Sequence, residues 1–323
     1  MPFKINSKTG KNKKINFSSY MVYIIFLVVM LIFALWLGGK FFSPSNILNI
    51  TRQTAMISVM AVAMTLIIAM GHIDLSIGAI VALSALISGL VLRETNSIFL
   101  SLIASLGMGA LVGACNGLFV VKLKIPAFLA TLGVSSIIRG IAMWSTNTSA
   151  VPIFNKTFNH VFGNGTFLGI PILFLWTIAA LLIGSFVLNK TAFGKKVLAI
   201  GGNSVAAKYT GVNVARTTTA VFVIMGIVAA FAGNLYAGKM QAARYTFGEG
   251  VEMSVIAAVI LGGTSMAGGT GTIIGAVVGS LLIGMINNGL IIGGLEVAQQ
   301  IIVQGIIIII AVALGNIGKR KRG

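Results

Sequence analysis

The stretch 55–92 reads AMISVMAVAMTLIIAMGHIDLSIGAIVALSALISGLVL, and at its centre lies Gly71-His72-Ile73-Asp74-Leu75-Ser76, where Asp74 is the only acidic residue in the first 93 positions. On either side the chain is apolar for long enough to cross a bilayer, which takes about 20 mostly apolar residues. A glycine, an imidazole and a carboxylate between two such runs mark the end of one helix and the start of the next, rather than one continuous span. This pairing of oily helices around a polar break sets the reading of the whole chain.

Working outward, the 323 residues are 57% hydrophobic and only 9% charged, too little polar surface to cover a water-soluble globule. The expected class is an all-α integral membrane protein with about ten transmembrane helices and Gly-rich helix breaks. Spans fall near 21–38, 53–70, 76–92, 98–121, 126–144, 170–188, 217–237, 252–266, 272–291 and 298–314. The chain then divides into a polar, basic tail (1–20), a membrane domain (21–314) and a basic tail (315–323). Two longer connections are expected inside the membrane domain, an external loop at 145–169 and a cytoplasmic loop at 189–216. The apolar run after the first tail is long and lacks a small-residue cleavage site, so it is a retained span and not a secretory signal.

Ten spans place both termini on one side. Of the 23 Lys and Arg residues, 16 lie in the two tails, the 122–125 turn and the 189–216 loop. Positive-inside bias makes that face, and both termini, cytoplasmic. Glu94, Glu249, Glu252 and Glu296 fall in or beside the opposite loops. The net charge of +18 is therefore a statement of orientation rather than of nucleic-acid binding. The single Cys115, within an apolar run, permits no intramolecular disulfide and reads as a small buried hydrophobe.

No phosphate loop, metal-spaced Cys or His pair, or nucleophile with a base occurs, so the chain is not read as an enzyme and holds neither metal nor cofactor. The polar and small residues within spans point instead to transport. The segment ILGGTSMAGGTGTIIGAVVGS from Ile260 repeats the design of the Asp74 break near the other end of the chain. That echo reads either as an internal duplication, common in transporters, or as two independent breaks in a chain with 40 glycines. Broken helices survive in a membrane only where protein or water covers their free backbone groups. His72, Asp74, Ser76, Gly262, Gly263, Thr264 and Ser265 are accordingly candidates for a helix break or a translocation path. Asn287 and Asn288 sit mid-span and read as interhelical glue first, path contacts second. Arg139, in the outer half of its span, costs about 3 kcal/mol at a helix centre unless it snorkels or finds a structural bond. Asp74 itself reads first as a cap on the third helix and second as a gating or path residue.

In the cytoplasmic loop, AIGGNSVAAKYTGVNV (199–214) contains a short helix that Asn203 or Ser204 can cap and that Gly211 can stop. A helix of about eight residues is unstable alone in water and needs a surface to dock on. Its own membrane domain, lipid headgroups and a cytoplasmic motor are the alternatives.

Taken in order, GHIDLSIGAIVALSA, IPAFLATLGVSSIIRGIA, AIGGNSVAAKYTGVNV and VIAAVILGGTSMAGGTGTIIGAVVGSLLIGMINNGL resemble the permease subunits of ribose-type ABC sugar importers, over about residues 45–314. The resemblance implies a bacterial inner-membrane permease that pairs with a second permease copy. It also implies an external sugar-binding protein and a separate ATPase subunit that binds the ATP and Mg. Through it, Gly201, Gly202, Asn203, Ser204, Ala206, Ala207 and Gly211 are read as the helix that couples to the ATPase. The family more often has a second glycine where this chain has His72. Related permeases are similar to importers of other sugars, of inositol and of the furanose-like autoinducer-2. A neutral, ribose-like monosaccharide or polyol is the expected cargo. The alternative from another class is an ion-coupled secondary transporter in which Asp74 and His72 titrate; a third reading, a passive channel or scaffold, needs no motor.

Overall fold

A computed structural model describes residues 17–303, 305–307 and 309; the expected basic tails fall largely or wholly outside these. Among the described residues eight helices are long and apolar enough to cross a membrane. They are α1 (Phe17–Leu37), α2 (Pro44–Ala69), α3 (Ile77–Thr95), α4 (Ile98–Val121), α5 (Ala127–Thr146), α7 (Ile172–Lys190), α10 (Val214–Met240) and α12 (Ile273–Ile292). Between them lie the short α6 (Lys156–Asn159), α8 (Ala192–Gly202), α9 (Ser204–Tyr209) and α11 (Val251–Leu261). Among the described residues four two-residue strands, β1 (Val151–Pro152), β2 (Thr166–Phe167), β3 (Ile170–Pro171) and β4 (Ala242–Ala243), form the antiparallel pairs β1–β4 and β2–β3.

Two of the ten expected spans are not among these eight. The segment read as a span at 252–266 is the 11-residue α11, about 16 Å long at 1.5 Å per residue and only half a hydrocarbon core. It stops because Gly262 and Gly263 follow, the latter at φ +91°, where a left-handed turn ends a helix. The span read at 298–314 appears as the short apolar helix Val297–Ile307, and the remainder of that range lies outside the described residues.

Local sequence sets the other boundaries. Ser43 accepts from Asn46 N just ahead of Pro44, and Ser97, Asn213 and Thr272 cap α4, α10 and α12 in the same way. Asn96 and Asn147 close α3 and α5 in the left-handed conformation that Asn tolerates.

Helices α2, α3, α10 and α12 form the buried centre, while α1, α4, α5 and α7 turn Leu, Ile and Phe outward. Small residues let the central backbones touch. Along α4, Gly109, Gly113 and Gly117 meet Gly226, Phe222 and Thr219 of the antiparallel α10. Along α2, Thr54 meets Gly284, the Ser58 hydroxyl bonds Ser280 Oγ at 2.6 Å, and Thr65 lies against Gly271 just ahead of α12. A buried network ties a third set: Asn234 of α10 accepts from Ser88 Oγ of α3 and donates to Ser105 Oγ of α4.

Candidate functional site

The 70–76 break is built by short-range bonds. Gly71 takes φ +80°, turning the chain after α2, and His72 N still donates to Ile67 O. Asp74 is fully buried, and its Oδ1 accepts from Ser76 N at 2.8 Å and Ser76 Oγ at 2.6 Å. The Ser76 hydroxyl in turn accepts from Asn116 Nδ2 of α4 at 2.9 Å, and Leu75 N donates to Thr131 Oγ1 of α5 at 3.0 Å. Asp74 therefore holds the entry to α3 together, with Ser76 as its partner. Neither Asp74 Oδ2 nor Asn116 Oδ1, both buried, has a partner among the described residues.

The second break, Gly262–Thr272, follows the same logic. Gly263, Gly268 and Gly269 are all left-handed. The Oγ1 of Thr264 accepts from Thr272 N, Ser265 N donates to Thr270 O, and Thr272 Oγ1 caps α12 through Gly275 N. Gly262 packs on Gly275 so closely that a side chain at either would collide with the other's backbone.

The hairpin of α8 and α9 has the expected start and stop. Asn203 Oδ1 accepts from Ala206 N at 2.9 Å, so Asn203 is the cap and Ser204 opens α9. Gly211 takes φ +85°, while Gly211 N and Val212 N return to Lys208 O and Ala207 O. At six residues, α9 is shorter than the eight expected. Ala207 is buried against the membrane domain, whereas Val205 and Tyr209 are 63% and 89% exposed.

These three pieces meet. Gly269 N donates to Ala69 O at 2.9 Å, and Gly201 lies against both Ala69 O and Gly269 N. Beside this junction opens a cavity of about 950 Å³, whose walls include Met70, His72, Val121, Asn203, Lys208 and Thr218. The His72 ring stands 6.0 Å from that of Phe222 and also borders a second cavity of about 420 Å³ beside Lys124. The His72 imidazole thus borders open space on both sides.

Four expectations change. Asn287 and Asn288 make no interhelical hydrogen bond among the described residues, and buried Asn288 leaves its Oδ1 unpartnered; α2 opposite carries Thr51 and Thr54, whose hydroxyls bond back to their own helix. Glu252 does not stay in an outer loop. The 241–250 segment runs inward along α3, from Ala243 beside Gly89 to Gly248 against Gly78, and sets Glu252 Oε2 beside Gly78 in the first turn of α3. Cys115 is half-buried rather than buried. The short helix of about eight residues is the six-residue α9. Arg139, by contrast, finds a structural bond, donating to Tyr245 O of that inward segment at 2.7 Å.

Sequence reading missed Asn116, Thr131, Asn234 and Glu252. A polar residue at helical spacing within an apolar run was the available signal for Asn116 and Asn234; nothing local marks the depth of Glu252.

Comparison with known proteins places this geometry. Residues 46–312 match the family model described as "Branched-chain amino acid transport system / permease component". The chain is 38% identical to the ribose import permease protein of Bacillus subtilis, over 94% of this chain and 96% of that one. It is 35% identical to the ribose import permease protein of Escherichia coli, over 91% and 92% of the two chains. With the L-arabinose ABC transporter permease protein of Azospirillum brasilense it shares 33%, over 93% and 88%. No solved structure matches the chain significantly. A helical bundle broken at two glycine-rich points, matched by one model over nearly its whole length, belongs to this family of multi-pass membrane permease components.

Proposed function

We propose that this chain is the membrane-spanning permease subunit of an ATP-driven ABC importer that moves a neutral monosaccharide or similar polyol, ribose-like in kind. The observation that carries the reading is the near full-length similarity to relatives named as ribose and arabinose permeases. The family model's own description concerns branched-chain amino acids; the sugar reading follows the named relatives. The interior agrees with an uncharged cargo: its buried polar side chains are almost all hydroxyls and amides, including Ser58, Ser88, Asn116, Asn234 and Asn288. Such groups can exchange hydrogen bonds with sugar hydroxyls without having to neutralise an ion.

In this reading an external binding protein delivers the sugar, and two permease copies enclose the path. A separate ATPase subunit binds ATP and Mg, and α9 docks on it with Val205 and Tyr209 foremost. The chain resides in the bacterial inner membrane and makes or breaks no covalent bond. His72, Asp74, Ser76, Gly262–Ser265, Asn287 and Asn288 are the break and path candidates. Gly201–Ser204, Ala206, Ala207 and Gly211 form the coupling hairpin.

The test is uptake of labelled ribose into vesicles holding the chain, the ATPase and the binding protein. Uptake that needs ATP and the binding protein together is expected. Uptake driven by a proton gradient without ATP would overturn the proposal in favour of an ion-coupled carrier.

A further inference from the structure

Most contacts between helices pass through side chains, which can change rotamer and absorb a displacement. At the junction of α2, α8 and the second break, three chain segments also approach one another backbone to backbone. Ala69, the last residue of α2, offers a carbonyl that no turn of its own helix can satisfy, and Gly269 N of the second break donates to it at 2.9 Å. Gly201, in the last turn of α8, lies so close that a Cβ there would overlap Ala69 O and stand 2.7 Å from Gly269 N. The contact is reciprocal. A Cβ on Gly268 would meet Gly201 O at 2.5 Å, and one on Gly269 would meet Gly202 Cα at 3.0 Å. Gly268 and Gly269 both hold left-handed φ values, +81° and +80°, which present their backbone to α8 in this way.

One side of this junction is the hairpin: α9 hangs from α8 by the Asn203 cap. The other side is the start of the Met70–Ser76 break and the later half of the Gly262–Thr272 break. Resting on the importer reading above, we propose that Gly201, Ala69 and Gly269 form a rigid linkage that moves the two breaks together with the coupling hairpin and stays closed through the transport cycle. Glycine is needed at 201 because only a bare backbone lets α8 reach the end of α2. A close-packed backbone contact has little room to compress and so passes a displacement on.

Neighbouring glycines supply an internal control. Gly201 and Gly202 both end α8, and neither holds a positive φ. A Cβ on Gly202, however, would meet only Gly269 Cα at 3.9 Å, an ordinary contact. In vesicles with ATPase and binding protein, Gly201→Ala is expected to keep hydrolysing ATP while uptake per ATP falls about tenfold, within the range for residues on a coupling route. Gly202→Ala, in the same hairpin but without the close contact, should lose clearly less uptake per ATP than Gly201→Ala. Equal behaviour of the two variants, whether both normal or both impaired, overturns the linkage.

If Gly201→Ala fails to assemble, a cysteine pair decides. Gly202→Cys with Gly269→Cys, in a Cys115→Ser background, is expected to cross-link on oxidation and to take up as much when oxidised as the same variant does when reduced, since the linkage never opens. A pair that does not cross-link, or one whose uptake is lost on oxidation and restored on reduction, overturns the proposal. A wild type that takes up nothing with ATP overturns the importer reading instead, and the two failures are thereby separated.

Discussion

Asp74 shows what a single carboxylate does in a chain this poor in charge. Its Oδ1 takes two donors from Ser76, and Ser76 passes the bond to Asn116, so one side chain fixes the turn out of α2, the start of α3 and the end of α4. Asp74→Leu leaves Ser76 N and Ser76 Oγ buried without an acceptor, a cost of about 1–3 kcal/mol for each group. Asp74→Asn keeps an oxygen in the same place and loses less. Melting of the purified permease should therefore fall by several degrees for Leu and by clearly less for Asn, and equal shifts would show that the Ser76 bonds do not hold the break. Glu252 is the contrasting case. Its Oε2 is buried beside Gly78 without a partner among the described residues, and the inward course of 241–250 brings it there.

Elements in this protein are defined as much by where glycine lets them touch as by where they begin. Gly113 of α4 lies against Phe222 O, and a Cβ on it would come within 2.8 Å of Val223 Cα; Gly107 on the same helix has open space around it. Gly113→Ala should cost about 1–3 kcal/mol through overpacking. Gly107→Ala should be neutral or, from helix propensity, stabilising by up to about 1 kcal/mol. Thermal unfolding of the two variants in detergent checks the pair, and a Gly113→Ala protein as stable as wild type would refute the close α4–α10 contact. The same physics explains what could be read beforehand. The 70–76 break was legible because a charge and a glycine interrupt an apolar run, and α9 because Asn203 and Gly211 are local signals for a start and a stop. The half-length of α11 was not, since the hydropathy of 252–266 carries through the glycines that end the helix. QAARYTFGEG, at 241–250, has the composition of an exposed loop. Its descent along α3 depends on Gly78, Gly89 and Arg139, residues more than a hundred positions away. The meeting of three segments at Gly201, Ala69 and Gly269 is likewise a fact of packing that no local pattern contains.

At the scale of the whole molecule, the two ends of the bundle carry different chemistry. One end gathers the 122–125 turn, the α8–α9 hairpin and both breaks around the two cavities, and it carries Lys122, Lys124, Lys190, Lys195, Lys196, Lys208 and Arg216 with no acid beside them in sequence. The other end carries the β1–β4 and β2–β3 pairs, α6 and the Arg93–Glu94 ion pair. Lysines and arginines resist translocation because each must cross the hydrocarbon against its hydration and against the membrane potential, about 2.3 kcal/mol per charge for 100 mV. Seven such groups at one end and mixed signs at the other predict that the cationic end faces the inside of the cell. Two exposed positions report the outcome: Tyr209 in α9, 89% exposed, and Leu168 at the β2–β3 turn, 86% exposed. In a Cys115→Ser background, a membrane-impermeant thiol reagent applied to spheroplasts should label Leu168→Cys and spare Tyr209→Cys, with the pattern reversed in inside-out vesicles. Labelling of Tyr209→Cys from outside would invert the orientation. It would also remove α9 from reach of any cytoplasmic ATPase, so this one measurement bears on the topology and on the motor-driven reading together.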